Sequence, residues 1–425
     1  MLSVQFIREN IDRVRHDVAL RNASAPIDRI LQLDDQRKEL LGQVEVLRAE
    51  RNATSKLIGA SKGDPTERDA KIAAMREVGD RIERFDAHLK AVENELQEKL
   101  YEVPNILDPS VPPGPDDSSN VVVETVGDLP RFDFQPKPHW ELGPALGGID
   151  FERGVKMSGS RFFVLRGGIA SLHRALTQFF LNEHINAGYT ECYLPDMLTE
   201  ASLYASGQLP KFRENLYRDA EEDYFFSPTA EVPFVNLYRD EIIPSAELPI
   251  RLVAHTPCFR REKMSAGRDV RGIKRVHQFE KVEMFVYSEP EKSEAEFDRL
   301  LARARSLPEL LGIPYRVVRL CSGDVGFNAT KTYDIEMWAP GQAEWMEVSS
   351  VSNCLYFQAR RANIRYRAAP GSPTLYPHLL NGSGLPPGRV LIAVMENYQR
   401  ADGSIEVPEV LSKYMGTDVI SGVAT

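Results

Sequence analysis

Two heptad-spaced apolar seams near the N-terminus leave the first quarter of this chain little choice of fold. Ile30, Leu33, Leu40, Val44, Leu47, Thr54 and Ile58 recur on one helical face, interrupted by Arg37 and Arg51. A break follows at residues 59–65, Gly-Ala-Ser-Lys-Gly-Asp-Pro. A second seam runs through Ile72, Met75, Gly79, Ile82, Leu89, Leu96 and Leu100, widened by Val78, Phe85 and Val92. Two seams of similar length joined by a Gly/Pro turn fold back as an antiparallel helical hairpin over about 27–103. Roughly 35 residues per helix give an arm of about 50 Å at 1.5 Å per residue. Such an arm buries surface mainly against itself. Near its tip stand Arg48, Arg51, Lys56, Lys62, Arg68, Lys71 and Arg76. A solvated coiled coil accounts for these cations as well as an RNA-facing surface does. Ahead of the hairpin, Val4, Ile7 and Ile11 suggest a short helix within Met1–Asn22.

The seam stops at Pro104, because the residue before a proline avoids helical geometry. The stretch from Pro104 is dense in Pro, Asp and Ser and reads as a linker. The expected organisation is therefore a helical arm over 1–105, a linker over 106–131 and a second domain over 132–425. Within that domain Gly167–Asn186 reads as an amphipathic helix running into a strand at Tyr189–Pro195. Lys292–Leu311 reads as a second helix.

The chemistry concentrates in Thr256–Tyr287, a strand, a basic loop and a return strand. The strands are expected at Arg251–Arg260 and Arg275–Tyr287, with Gly267 and Gly272 in the turn. Side chains two apart share a strand face, so Phe279 and Glu283 look into one space. Arg260, Arg261, Lys263, Arg268, Arg271, Lys274 and Arg275 surround it, against Glu262 and Asp269. A cationic hairpin beside an aromatic ring suits a polyphosphate carrying a flat base; an ordinary charged surface hairpin has the same composition.

Other candidates are separate in sequence. Thr229 and Glu231 share a face if their segment is extended, and with Glu283 could hold a small zwitterion; a helix N-terminus at Ser227–Glu231 is the competing reading. Glu347–Asn353 is a strand end rich in hard oxygen donors, suited to Mg²⁺ on phosphates or simply to a polar sheet edge. Asn381–Gly384 is a glycine-flanked turn, followed by Pro386 and Pro387 opening a helix with Arg389 in its first turn.

Composition excludes several classes. The 425 residues are 42% hydrophobic and 27% charged, normal for a soluble protein with a real core. A net charge of −10 argues against a general nucleic-acid binder, so any RNA contact must use local basic patches. Cys192, Cys258, Cys321 and Cys354 are scattered without metal-ligand spacing and fit a reducing cytoplasm. No apolar run is long enough to span a bilayer, and Met1 begins no signal peptide.

The run Phe259–Met284 resembles motif 2 of the class II aminoacyl-tRNA synthetases, in its bacterial-type seryl form. Ser227–Phe234, Gly323–Trp338 with Glu347–Cys354, and Asn381–Gln399 agree with the same family, the last resembling motif 3. Gly167–Pro195 resembles motif 1, the dimerisation element. The ordered set covers essentially the whole chain, arm included.

This resemblance implies an α+β fold, with a class II catalytic domain, an antiparallel sheet flanked by helices, behind the helical arm. It implies an ATP-dependent ligase that makes seryl-adenylate from L-serine and transfers it to tRNA(Ser), and to tRNA(Sec). A cytoplasmic homodimer with Mg²⁺ is implied as well. On matching positions, Arg260 clamps the α-phosphate, Glu262 meets the adenine amino group, and Phe279 and Arg389 sandwich the adenine. Arg271 reaches the γ-phosphate and Val276 contacts the nucleotide through its backbone. Arg261, Val348 and Ser349 complete the ATP site, and Glu347 and Ser350 bind Mg²⁺. Thr229, Ala230, Glu231, Glu283 and Ser383 line the serine site. Arg261, Lys263, Met264, Trp345, Met346 and Val351 depart from common family residues, between the functional positions. Two other classes share parts of the pattern. A ligase loading a small amino acid onto a carrier protein would lack the arm. A non-catalytic RNA-binding relative would have lost Arg260, Glu283 or Arg389.

Overall fold

The computed structural model describes residues 1–60, 65–263 and 271–422. It divides into two compact units, Met1–Ala19 with Ala23–Pro104, and Leu20–Asn22 with Asn105–Thr425. The first contains α1 (Val4–Glu9), all but the last residue of α2 (Ile11–Leu20), α3 (Ile27–Ala60) and α4 (Pro65–Tyr101). Helices α3 and α4, of 34 and 37 residues, pack against each other as the seams require. Ile30, Leu33, Leu40, Val44, Leu47, Val78, Ile82, Val92, Leu96 and Leu100 are buried, whereas Thr54, Ile58, Ile72 and Met75 are only partly so. The apolar contact therefore thins toward the turn. Arg29–Glu95 at 2.7 Å and Arg48–Asp86 at 2.8 Å cross the hairpin and set its register. Arg48, expected among the outward cations, is thus tied to the opposite helix. Arg51, Lys56 and Arg76 are exposed. Lys62 and the Arg68 side chain, like Gly267, Met264, Arg268 and Asp269, lie outside the described residues.

The second unit is built on an eight-stranded sheet. Its strands are β1 (Val121–Val126), β2 (Thr190–Glu191), β3 (Ile250–Phe259), β4 (Gln278–Ser288), β5 (Tyr315–Arg319), β6 (Lys331–Ala339), β7 (Glu344–Asn353) and β8 (His378–Ser383). Their spatial order is β1-β5-β6-β7-β8-β4-β3-β2. Every pairing is antiparallel except β2 with β3. The presence of β1 revises the linker expectation. Val121–Val123 are exposed, so this edge strand shows no alternation, and only its backbone pairing to β5 makes it a strand.

The helices include α5 (His139–Ala145), α6 (Gly167–Asn186), α7 (Glu231–Leu237), α8 (Ser293–Leu310) and α9 (Pro387–Asn397). Leu172, Leu176 and Phe180 of α6, Phe297 and Leu300 of α8, and Val390, Leu391 and Val394 of α9 join Val282, Met284 and Val286 of β4 in one core. Burying each such side chain contributes about 1.5–3 kcal/mol. The opposite face of β4 is split. Phe285 and Tyr287 enter a second core with Phe234 and Leu252, leaving only Phe279, Lys281 and Glu283 for the site.

Two strand boundaries differ from expectation. The return strand starts at Gln278, not Arg275, because Gly272 turns with φ +72° and Ile273 is drawn into the core at 3% exposure. The Tyr189–Pro195 strand shrinks to Thr190–Glu191.

Candidate active site

A cavity of about 320 Å³ opens over the β3–β4 hairpin, between the starts of α7 and α9 and the middle of β7. Strand β4 organises it. Phe279, Lys281 and Glu283 follow at the two-residue period and all line the cavity. Across β3, Thr256 stands opposite Lys281 and Cys258 opposite Phe279; across β8, Ser383 stands opposite Glu283. The first end is aromatic and cationic. Arg260 lies 5.1 Å from the Phe279 ring centroid, and its Nε donates to the Pro228 carbonyl at 3.1 Å. Its backbone N–H donates to His277 at 2.9 Å, closing the hairpin where strand pairing ends.

The other end is a buried polar knot. Glu283 is 2% exposed and Lys281 7%. Lys281 Nζ donates to Thr229 Oγ1 at 2.6 Å and forms an ion pair with Glu283, while the Thr229 hydroxyl donates to Glu283 at 3.2 Å. Glu231 adds a second carboxylate, held by Gln358 Nε2. Burial, and then the charge of Glu283, push the Glu231 carboxyl above its ordinary range. Helix α7 begins at Glu231 with Ala230 as its N-cap, so Ser227–Ala230 form an irregular lead-in to the helix, neither an extended strand nor a Ser227-capped first turn. Thr229 Oγ1 accepts from the Glu231 backbone N–H at 3.3 Å, tying down one free donor of the helix N-terminus, and both residues still line the cavity.

The third wall is β7. Glu347 and Ser350 are three apart and in a regular strand would face opposite sides. The pairing to β6 runs Ile335 with Ser349 and then Glu336 with Glu347, so Val348 is an extra residue. This bulge turns Glu347 and Ser350 to the cavity together. Ser349 points away and donates to the Ser383 carbonyl at 2.6 Å, so it braces β8. Behind Ser350 stands Asp334, its cross-strand partner, with a buried Oδ1 that has no hydrogen-bond partner among the described residues. Burial, followed by the Glu347 charge, pushes its carboxyl well up. Arg389, from the first turn of α9, donates to the Glu347 carbonyl at 2.7 Å and pairs with its carboxylate at 3.3 Å. Glu262, at φ +52°, pairs with Arg275 at 3.3 Å.

Thr229, Glu231, Arg260, Glu262, Val276, Phe279, Glu283, Glu347, Val348, Ser350, Ser383 and Arg389 therefore surround one space. Ala230 is wholly buried, and Arg261 instead turns its guanidinium to the Tyr217 ring at 5.5 Å. Arg271 is exposed and, with Ala230, Arg261 and Ser349, does not line the cavity. Sequence reading missed Lys281, although its place between Phe279 and Glu283 on one face was a usable signal. It also missed Asn381, inside the glycine-flanked turn, and His173 and Phe163, which only the tertiary fold brings in.

Chemically, one end can stack a flat ring under a guanidinium, and the other can hold an ammonium and a hydroxyl. Between them, the oxygens of Glu347 and Ser350 offer hard donors on one side, and Ser350 is backed by the buried Asp334 Oδ1.

Comparison with known proteins identifies the family. Two family models match, the seryl-tRNA synthetase N-terminal domain over residues 1–107 and the tRNA synthetase class II core domain (G, H, P, S and T) over 212–398. The serine–tRNA ligase of Roseiflexus castenholzii is 57% identical over 419 residues, 98% of each chain. That of Thermomicrobium roseum is 56% identical over 417 residues, 98% of this chain and 94% of the relative. The crystal structure of seryl-tRNA synthetase from Pyrococcus horikoshii complexed with ATP superposes over 100% of both chains, with a TM-score of 0.93 and 37% identity.

Proposed function

This chain belongs to the seryl-tRNA synthetases, and from that membership we propose that its cavity condenses L-serine with ATP to seryl-adenylate and passes the seryl group to the 3′ end of tRNA(Ser). The observation that carries the reading is the spacing of Phe279 and Glu283 on one strand face. They stand four residue steps apart on β4, about 13 Å, which suits a nucleoside joined through one phosphate to an amino acid.

The proposed roles follow from that span. Phe279 stacks the adenine, with Arg389 on the other face, and Glu262 accepts from its amino group. Val276 contributes its backbone. Arg260 clamps the α-phosphate from the Phe279 end, positioned by its bond to Pro228. Arg271, exposed at the loop's return, reaches the γ-phosphate. Thr229, Glu231 and Glu283 hold the serine ammonium and hydroxyl with Ser383, and Ala230 supplies backbone. Little covalent help is asked of the protein. Its contribution is alignment of carboxylate, phosphorus and leaving pyrophosphate, and stabilisation of charge at phosphorus. Mg²⁺ is held by Glu347 and Ser350 in this reading, and when bound it neutralises phosphate charge.

Three further roles are proposed. The arm grips tRNA through Arg51, Lys56 and Arg76, all exposed. The same arm serves tRNA(Sec). The chain works as a cytoplasmic homodimer joined at α6 and β2. This is supported by exposed Tyr193 (99%), Met197 and Ile185 next to the free edge of β2. No described helix is long and apolar enough to cross a membrane.

The test is ATP–pyrophosphate exchange with each of the twenty amino acids. Serine alone is expected to support it. Alanine leaves buried polar groups unpaired and should be refused by ~10⁴-fold, while threonine is refused mainly by size. Equal exchange with alanine would discard the pocket assignment and favour the carrier-loading ligase. No exchange with any amino acid would favour the RNA-binding relative.

A further inference from the structure

His139 lies far from every motif in sequence and is fully buried. Its ring joins two parts of the site. Nε2 accepts the backbone N–H of Ile273 at 3.1 Å, so the ring proton is on Nδ1, which donates to Glu396 at 2.9 Å. Glu396, also fully buried, accepts in addition from the backbone N–H groups of His139, Gly341 and Gln342 and from Gln342 Nε2. Five donors make this carboxylate a rigid anchor. Glu396 sits in the last turn of α9, whose first turn carries Arg389. Arg389 Nε in turn donates to the Lys274 carbonyl at 3.4 Å. Both ends of α9 thus reach the same short segment, one through Arg389 and one through Glu396 and His139.

That segment is Ile273–Val276, the return of the basic loop, and all four residues line the cavity. It is not held by strand pairing, since β4 begins at Gln278. Gly272 completes the fit. At φ +72°, a Cβ there would stand 1.9 Å from His139 Nε2. The glycine is needed for the backbone to reach the imidazole.

We propose that His139 is a positioning residue for nucleotide binding, pinning Ile273 so that the Val276 backbone and Arg389 keep a fixed spacing around the adenine. This rests on the reading that the Phe279 end of the cavity takes ATP. The imidazole does not touch substrate; it acts through Ile273.

Two isosteric replacements separate the pin from a purely structural role. In H139Q the amide group reaches the place of Nε2 and can accept from Ile273. In H139N it matches Nδ1 and can donate to Glu396 but cannot reach Ile273. The measurements are KM for ATP and for serine in pyrophosphate exchange, and hydrogen exchange of the 271–276 segment in the free protein. H139N should raise the ATP KM roughly tenfold and speed exchange of that segment, with the serine KM unchanged and H139Q near wild type. If H139N fails to fold, G272A serves instead, since its methyl would displace the ring from Ile273 while Glu396 keeps its four donors from outside the imidazole. Serine-dependent exchange by the wild type tests the nucleotide reading on its own. Given that activity, equal ATP KM values in H139Q and H139N, a rise in both KM values together, or faster hydrogen exchange with no change in ATP KM would each overturn the proposal.

Discussion

Lys281 and Glu283 form an ion pair within the cavity, on one face of β4 and under a tenth exposed. In the free protein, then, the carboxylate proposed for the serine ammonium already has an internal cation. Removing one partner of a buried pair commonly costs about 3–5 kcal/mol, because the other charge is stranded. In Lys281→Met, Glu283 would lose its ion-pair partner, and Arg260 would be left as the nearest cation acting on Glu231. The melting temperature should fall, and L-serine should restore part of it, because its ammonium then supplies a positive charge where the Lys281 ammonium stood. The measurement is thermal melting with and without serine. A serine shift no larger than that of wild type would show that Glu283 does not meet the ammonium.

Arg260 has a different kind of role. Its guanidinium sits over Phe279 and is aimed by Pro228. A donor fork in that place gains most as charge develops on phosphorus, so Arg260→Ala should lower kcat by about 10²–10³ with a smaller change in ATP KM. Arg260→Lys should recover little, since an ammonium lacks the planar fork. Near-normal adenylate formation by Arg260→Ala would reduce this arginine to a packing partner of Phe279.

What the sequence made legible was set by local periodicity. The seam Ile30–Leu100 predicted a hairpin because a heptad repeat has one solution. Phe279 and Glu283 were placed together because a strand has period two. Glu347 and Ser350 were grouped by composition alone, and their shared face depends on a bulge at Val348 that no spacing rule announces. Lys281 was hidden between better candidates. His139 was hidden because its partners are 134 and 257 positions away. Strand β1 was hidden because an exposed edge strand has no apolar face. The roles, unlike the positions, came from resemblance.

Glu231 gives a pH dependence with a definite sign. Burial and Glu283 raise its carboxyl, so the free protein keeps it protonated over part of the range where an ordinary carboxyl is ionised. An ammonium beside it favours the ionised form and lowers its pKa, so serine binding releases protons and strengthens as pH rises through the raised range. Calorimetric titration of serine in two buffers of different protonation enthalpy should show that release. Glu231→Gln should abolish it and weaken serine binding. Buffer-independent heats for the wild type would remove Glu231 from the ammonium site.

The arm prediction needs a cut that spares the second unit. Asn105 is 2% exposed, and its Nδ2 donates to the carbonyls of Asn328 at 2.8 Å and Cys354 at 2.9 Å, so deletion through residue 105 would damage the catalytic unit itself. Replacing Leu41–His88 with a short glycine turn leaves the Arg29–Glu95 pair and the buried Ile30 and Leu33 at the base. All proposed site residues lie between Thr229 and Arg389. Serine-dependent pyrophosphate exchange should therefore be largely unchanged, while transfer to tRNA collapses. Intact protein should bind tRNA with a steep salt dependence, which the shortened protein loses, because Arg51, Lys56 and Arg76 exchange counter-ions with phosphates. Full charging of tRNA(Ser) by the shortened protein would leave the arm without its proposed role.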